Sequence, residues 1–126
     1  MGLTSFFNRS KQSNGESGKD RYWSLLTNEG EVVDPTWEQT KLAVKNATPT
    51  GNVFAKLGYL NSGLEIESIQ AFSEGGLYRV EALPPKQWKI YVKDGFTHAE
   101  VLKLFESFYH DEKIIGYRDW QKEKNK

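Results

Sequence analysis

The chain has 126 residues with 17 basic and 17 acidic side chains, and this formal net charge of zero argues against a dedicated nucleic-acid-binding protein. It has no cysteine, which excludes disulfides, thiolate metal sites and cysteine nucleophiles and makes the reducing cytoplasm the expected compartment. Hydrophobic residues at 37% and charged residues at 27% are typical of one globular domain, and no apolar run approaches the roughly 20 residues of a membrane-spanning helix.

The two ends of the chain differ in composition from its middle. Residues 8–20 contain no apolar side chain and are rich in Ser, Gly, Asn and charge, so residues 1–21 are predicted to be a flexible N-terminal segment. Residues 121–126 are predicted to be a charged tail, which leaves residues 22–120 as a single α+β domain. Residues 22–117 hold nine basic and thirteen acidic side chains, a net charge of −4, so the predicted domain is mildly acidic.

The domain begins with a predicted strand at residues 22–27, followed by a turn and a short apolar stretch that can complete a hairpin. A first helix is predicted to start near Asp34 and Pro35. Thr36 and Gln39 have the spacing of a capping box there, and the helix runs to about Asn46. Its apolar face is narrower than that of the second helix described below.

Four further strands are predicted from alternating apolar and polar residues separated by turn signals. They span residues 52–60, 64–72, 77–83 and 87–93. In the second of these strands the alternation changes phase, which predicts a β-bulge near Ser68. Short connections between consecutive strands favour an antiparallel meander.

Residues 97–109 are the most strongly patterned segment and predict an amphipathic helix. Thr97 and Glu100 have capping-box spacing, and Phe96 can pack against Val101 as a hydrophobic staple. The predicted apolar stripe consists of Val101, Leu104, Phe105 and Phe108, and Gly116 is the predicted stop. The order β-α-β-β-β-β-α therefore predicts an α+β fold in which an antiparallel sheet of four to six strands packs against two helices.

Few side chains have a spacing suited to catalysis. His98 and His110 lie on one predicted helix about 18 Å apart by helix rise, too far to share a metal ion or a proton. Glu65 and Glu67 have the spacing that places two carboxylates on one face of a strand, which suits a solvated face, an acidic docking surface or a hard metal ion. Because no phosphate loop, nucleophile elbow or zinc pattern is present, we expect no enzyme, no cofactor and no metal.

A basic and aromatic strand raises the possibility of nucleic-acid binding. Lys86, Lys89 and Lys93 alternate with Trp88 and Tyr91, a combination that can hold single-stranded nucleic acid. Glutamates on the neighbouring predicted strands would repel phosphate. We therefore expect neither a nucleic-acid partner nor a membrane partner.

Three sequence features carry a resemblance to a known group of proteins. They are Trp37-Glu38 at a helix start, the run from Ile69-Gln70-Ala71 through a glycine turn to Tyr78-Arg79-Val80-Glu81, and Leu104-Phe105-x-x-Phe108 with a later Trp120. With these features residues 22–120 resemble a group of small uncharacterised bacterial α+β proteins, which are similar to immunity proteins of polymorphic or contact-dependent toxin systems. The resemblance implies a non-catalytic cytoplasmic protein, monomeric or weakly dimeric, that binds and neutralises a cognate toxin domain.

An immunity protein of this kind would use its acidic surface to cover a basic toxin site, such as that of a nuclease. The candidate contacts are five acidic residues and two aromatic anchors: Glu65, Glu67, Glu74, Asp111, Glu112, Tyr59 and Tyr91. Gln70 and Glu81 are polar residues on apolar strands, and either fix the sheet as hydrogen-bond partners or belong to a recognition face. The alternative function is a small ligand-binding or accessory module with an open pocket lined by Trp23, Trp37 and Trp88.

Overall fold

The computed structural model describes residues 20–86 and 89–124. The helices and strands in these ranges are β1 (Tyr22–Thr27), β2 (Gly30–Val33), α1 (Trp37–Lys45), β3 (Ala55–Leu60), β4 (Ser68–Glu74), β5 (Leu77–Leu83), β6 (Lys89–Phe96), α2 (His98–Asp111), a 3-10 helix (Tyr117–Asp119) and β7 (Gln121–Lys124). All of these strands form one antiparallel sheet in the order β2-β1-β3-β4-β5-β6-β7.

The predicted fold class, an antiparallel sheet with two helices, is confirmed, whereas the predicted strand number is slightly low. Residues 20–86 and 89–124 form seven strands in place of four to six. Residues 121–124, predicted as part of a charged tail, form β7 and pair with β6. Residues 1–19, which make up most of the predicted flexible segment, lie outside the described residues, as does Trp88.

Both predicted capping boxes are confirmed. The Thr36 hydroxyl accepts the Gln39 amide at 3.1 Å, and the Gln39 side chain accepts the Thr36 amide at 2.8 Å. The same exchange joins Thr97 and Glu100 at 3.2 and 2.8 Å. Each helix start is therefore fixed by residues only three positions apart, which is why the sequence alone could locate it.

The predicted end of α2 at Gly116 is wrong. The helix ends at Asp111, and Glu112 follows in the left-handed conformation with φ of 59°. The amide groups of Glu112 and Lys113 donate to the carbonyls of Phe108 and Ser107, so the last turn is closed without a glycine. Gly116, also left-handed with φ of 77°, instead begins the 3-10 helix.

The core lies between the two helices and one face of the sheet. The predicted α2 stripe is confirmed, since Val101, Leu104, Phe105 and Phe108 are all buried. They pack with sheet residues such as Leu57, Ile69 and Val80. The Tyr78 hydroxyl donates to the Val44 carbonyl at 3.0 Å and so ties β5 to α1, and burial raises the pKa of Tyr78.

The predicted strand 64–72 and its bulge near Ser68 are corrected by the structure. The strand begins only at Ser68, and the preceding Leu64 and Ile66 pack against the core. The change of phase in the sequence therefore marks where the strand begins. The register irregularity in the sheet lies elsewhere, between β5 and β6, where Tyr78 and Val80 face partners three residues apart on β6.

Candidate protein-binding surface

The two helices cover one face of the sheet, and the opposite face, here called the open face, is not covered by any helix among the described residues. The antiparallel register decides which side chains point there. One row crosses the middle of the sheet through directly opposed residues: Glu31, Leu26, Lys56, Gln70, Glu81, Val92 and Gln121. A second row, two residues away along the strands, consists of Val33, Ser24, Gly58, Ser68 and Leu83.

The open face is acidic. Its described residues include six carboxylates, Glu31, Glu67, Glu74, Glu81, Asp94 and Glu123, against the two cations Lys56 and Arg79. The lysines of β6 and β7 alternate to the other side, where Lys89 opposes Lys124 and Lys122 opposes Tyr91. Six carboxylates against two cations give these residues a net charge of −4, so the acidic character predicted for the domain is concentrated on this face.

Arg79 is the centre of an ionic network that spans β5 to β7. Its guanidinium lies 3.1 Å from Glu81, 3.4 Å from Asp94 and 3.1 Å from Glu123. Burial acts to lower the pKa of Arg79, but the hydrogen bond to Glu81 and the three carboxylate charges outweigh it and raise the pKa above its usual value. One cation is thus surrounded by three anions, which leaves an excess of negative charge.

Gln70 and Glu81 are hydrogen-bond partners, one of the two roles predicted for them. The Gln70 amide donates to Glu81 at 3.0 Å between directly opposed residues of β4 and β5. The second carboxylate oxygen of Glu81 accepts from Arg79. Both residues lie on the open face and are half-buried, so this pair holds the Arg79 network in place on that face.

Two shallow grooves indent the open face. A groove of about 190 Å³ lies over Gly58 and is bordered by Ser24, Glu31, Glu67 and Ser68. A groove of about 410 Å³ lies at the turn end of β4 and β5 and is bordered by Phe72, Glu74, Arg79 and Asp94. Each groove is bordered by both carboxylates and apolar side chains.

The seven predicted contact residues lie in three separate places. Glu67 and Glu74 border the two open-face grooves. Glu65 and Glu112 instead line a cleft of about 360 Å³ at the end of α2, where the exposed Asp111 also lies. The prediction that Glu65 and Glu67 share one face of a strand is wrong, because both precede β4 and border different grooves.

The cleft at the end of α2 is held by an ion pair between Arg118 and Glu65. Burial, followed by the hydrogen bond and charge of Glu65, raises the pKa of Tyr117 against the opposing effect of Arg118. Glu65 therefore already has partners within the chain. This makes it a poorer candidate for an intermolecular contact than Glu67 or Glu74.

The two predicted aromatic anchors are on the helix-covered side. Tyr59 stacks on Trp23 with ring centres 4.3 Å apart, and Tyr91 packs edge-on against Tyr117 at 5.0 Å. Both rings are half-buried and packed within the chain. They do not lie beside the acidic residues of the open face.

The space between Trp23 and Trp37 is filled. The ring centre of Tyr109 lies 5.3 Å from that of Trp23 and 5.7 Å from that of Trp37. The Tyr109 hydroxyl donates to the Pro35 carbonyl at 2.8 Å. The ligand pocket of the alternative prediction is therefore not open at these two tryptophans, and Trp88 lies outside the described residues. His110 packs beside this aromatic group.

His98 and His110 lie near opposite ends of α2, as predicted. His98 stacks on Tyr78 with ring centres 6.0 Å apart. In the ranges 20–86 and 89–124, no three His, Asp or Glu side chains are arranged to hold a metal ion. The same ranges contain no helix with the length and apolar character needed to cross a membrane.

Comparison with protein-family models, with curated proteins and with solved structures finds no match to this chain. The resemblance to immunity proteins therefore stays a prediction.

Sequence reasoning missed Asp94 and Glu123 as members of the acidic face. Asp94 directly follows the predicted strand 87–93, and Glu123 lies in the predicted tail. The alternation of Ile90 and Val92 could have found Asp94, because extending it by two residues places Asp94 on their side. For Glu123 no local signal exists, since it joins the network only through the pairing of β7 with β6.

Proposed function

We propose that this chain is a non-catalytic protein-binding domain whose open face covers a basic surface of its partner, and that the partner is a cognate bacterial toxin domain. The observation that supports the proposal is a sheet face that no helix within residues 20–86 and 89–124 covers, where six carboxylates meet two cations. On this proposal the chain acts in the cytoplasm as an immunity protein.

The charge of the open face is suited to a basic partner. Complementary potentials accelerate the encounter of two proteins and select the correct partner, especially at low salt. A nuclease-like toxin carries a basic substrate site, which an acidic inhibitor would occupy. Rim charges act mainly on the association rate, so salt is expected to weaken binding chiefly through slower association.

The apolar side chains of the open face complete a surface suited to a protein. Leu26, Leu60, Phe72 and Leu77 border the two grooves among the charged residues. Protein interfaces combine such apolar contacts with a polar rim, whereas small-molecule sites are deep and mostly enclosed. The grooves here are shallow, and Tyr109 fills the space between Trp23 and Trp37. These features favour a protein partner over a small ligand.

Affinity capture with matched charge reversals tests the proposal. The tagged chain is incubated with lysate of source cells at low and at moderate salt, and bound proteins are identified by mass spectrometry. We expect a stoichiometric basic partner. Its affinity for the chain should fall more than tenfold with Glu74→Lys and with Glu67→Lys. Glu106→Lys, an exposed reversal on α2 remote from the open face, is expected to leave capture unchanged.

Capture alone does not establish neutralisation, so the captured protein is expressed with and without this chain. We expect growth arrest without this chain and rescue with it, and we expect rescue to be lost for Glu74→Lys. A captured protein that does not arrest growth would contradict the toxin assignment. Equal effects of Glu106→Lys and Glu74→Lys would contradict the assignment of the open face.

A further inference from the structure

Three directly opposed residues on the open face have small side chains. Ser24 on β1 faces Gly58 on β3, and Gly58 faces Ser68 on β4. They form the floor of the groove of about 190 Å³, between Leu26 and Leu60. A Cβ atom at Gly58 would lie 2.8 Å from the Ser68 Oγ and 3.1 Å from a Leu60 methyl group, so any larger residue would crowd this floor.

The hydroxyl of Ser68 is buried without a hydrogen-bond partner among residues 20–86 and 89–124. Ser68 is 1% exposed, and its Oγ lies over Gly58 at the bottom of the groove. Its neighbour in the row is different, since the Ser24 hydroxyl donates to Glu31 at 2.5 Å. A buried hydroxyl without a partner destabilises the fold, so one at the floor of a groove is available to a ligand that reaches it.

Charged side chains border the groove beside these hydroxyls. Glu31 and Glu67 border it with one ammonium group, that of Lys56. Within the described ranges Lys56 makes no ion pair. The groove therefore offers oxygen acceptors from two hydroxyls and two carboxylates, with an excess of one negative charge.

We propose that this groove binds the guanidinium group of an arginine side chain supplied by the partner protein. The inference rests on the proposed function, because it assigns the anchor of the same interface. The methylenes of the arginine would pack between Leu26 and Leu60, and its N–H groups would donate to Ser68 Oγ and to the carboxylates of Glu31 and Glu67.

A guanidinium fits the acceptors better than the other groups of similar size. It has five N–H donors in a planar fork, whereas a lysine ammonium has three on one atom. The two carboxylates would repel a phosphate or carboxylate ligand. A neutral side chain would leave Glu31 and Glu67 without a charged partner after their removal from water.

The probe for the experiment is N-acetyl-arginine N-methylamide, and the control is the corresponding citrulline compound, which has the same shape without charge. The amide resonances of Gly58 and Ser68 are followed by NMR during titration. We expect them to shift with a Kd of about 1–10 mM for the arginine probe, and the citrulline compound to bind at least about tenfold more weakly.

Ser68→Ala separates recognition from stability. We expect it to weaken binding of the arginine probe at least about fivefold, while the melting temperature stays the same or rises because an unpaired buried hydroxyl is removed. Ser73→Ala removes a buried hydroxyl of the same strand on the helix-covered side and is expected to leave probe binding unchanged. Lys56→Gln is expected to strengthen binding, because it removes a like charge.

Equal shifts with the citrulline compound, unchanged binding by Ser68→Ala, or weaker binding by Lys56→Gln would each overturn the inference. The probe requires no toxin, so its failure is distinguishable from failure of the proposed function. If the probe binds as expected but no toxin is captured, the toxin assignment alone fails. If a toxin is captured and Ser68→Ala binds it as tightly as the unchanged chain, the arginine groove alone fails.

Discussion

The two faces of the sheet are formed by the same strands but have different roles. On the helix-covered face, Leu57, Ile69 and Val80 are fully buried against α1 and α2. Among the described residues, the open face has a small buried apolar cluster at one end and otherwise holds the Arg79 network and two shallow grooves. Stability therefore comes mainly from one face, and the charged side chains lie mainly on the other.

The Arg79 network makes a modest contribution to folding. Ion pairs near the surface contribute about 0–1 kcal/mol each, because water and salt screen them. Three carboxylates around one guanidinium also repel one another. If the proposed function holds, a network with this composition serves the recognition of a basic partner more than the stability of the sheet.

The largest expected loss of stability comes from truncating a core side chain on the helix-covered side. Phe105→Ala removes a fully buried ring and is expected to lower the free energy of unfolding by about 3–5 kcal/mol. Phe72→Ala removes a half-buried ring from the open face and is expected to cost about 1 kcal/mol. Urea unfolding of both variants makes the comparison. Equal losses would contradict the assignment of stability to one face.

A smaller loss of stability is expected from removing the cation at the centre of the open face. Arg79→Met leaves Glu81, Asp94 and Glu123 without their shared cation and is expected to cost about 1–2 kcal/mol at low ionic strength. Added salt screens the remaining repulsion, so the loss should shrink as NaCl is raised. Urea unfolding at two salt concentrations measures this change.

An exposed ion pair provides the control for that experiment. Lys41 and Glu38 lie 3.1 Å apart on the surface of α1, and Lys41→Met is expected to cost less than about 0.5 kcal/mol. The stability lost through Lys41→Met should hardly change with the salt concentration. A loss for Arg79→Met that is as small as that for Lys41→Met would mean that the network has no role in holding the open face.

The sequence predicted the helix-covered layer better than the open face because the signals of that layer are local. The capping boxes and the stripe from Val101 to Phe108 use residues within one or two helical turns of each other. The order of β3, β4, β5 and β6 followed from short connections between successive strands. The fold class could therefore be derived, whereas β7 could not, because a charged four-residue strand has no apolar alternation.

The acidic face was predicted only as an overall charge. Arg79 and Glu123 are 44 positions apart in the chain, and their contact depends on how β5, β6 and β7 pair. The row of Ser24, Gly58 and Ser68 likewise exists only through the register of three strands. In the sequence, Ser24, Gly58 and Ser68 are ordinary small residues in a strand or near a turn. Site residues that come together through register carry no signal in a single sequence.

The independence of the two faces can be tested with a double variant. Thr36→Ala removes the hydroxyl that caps α1 and is expected to cost about 1 kcal/mol. Combined with Arg79→Met, the two losses should add within about 0.5 kcal/mol, because the residues share no described partner. A larger coupling energy in urea unfolding would show that the open face and the helix layer are stabilised together.

The smallest expected effect is a pH dependence within the helix layer itself. Hydrogen bonds from the backbone and side chain of Thr97, and to a lesser extent the positive charges of Lys93 and Lys103, lower the pKa of Glu100. A carboxylate with a lowered folded pKa stabilises the fold above its unfolded pKa, and this contribution is lost as the pH falls through the folded pKa.

The two capping boxes offer a matched pair for this measurement, because the corresponding residue of α1 is the uncharged Gln39. Glu100→Gln keeps the side-chain acceptor for the Thr97 amide but removes the charge, so its melting temperature should fall slightly below that of the unchanged chain at neutral pH and match it in acid. Gln39→Glu should produce the opposite change at α1. If Glu100→Gln differs by the same amount at all pH values, the charge of Glu100 makes no contribution and only its hydrogen bond matters.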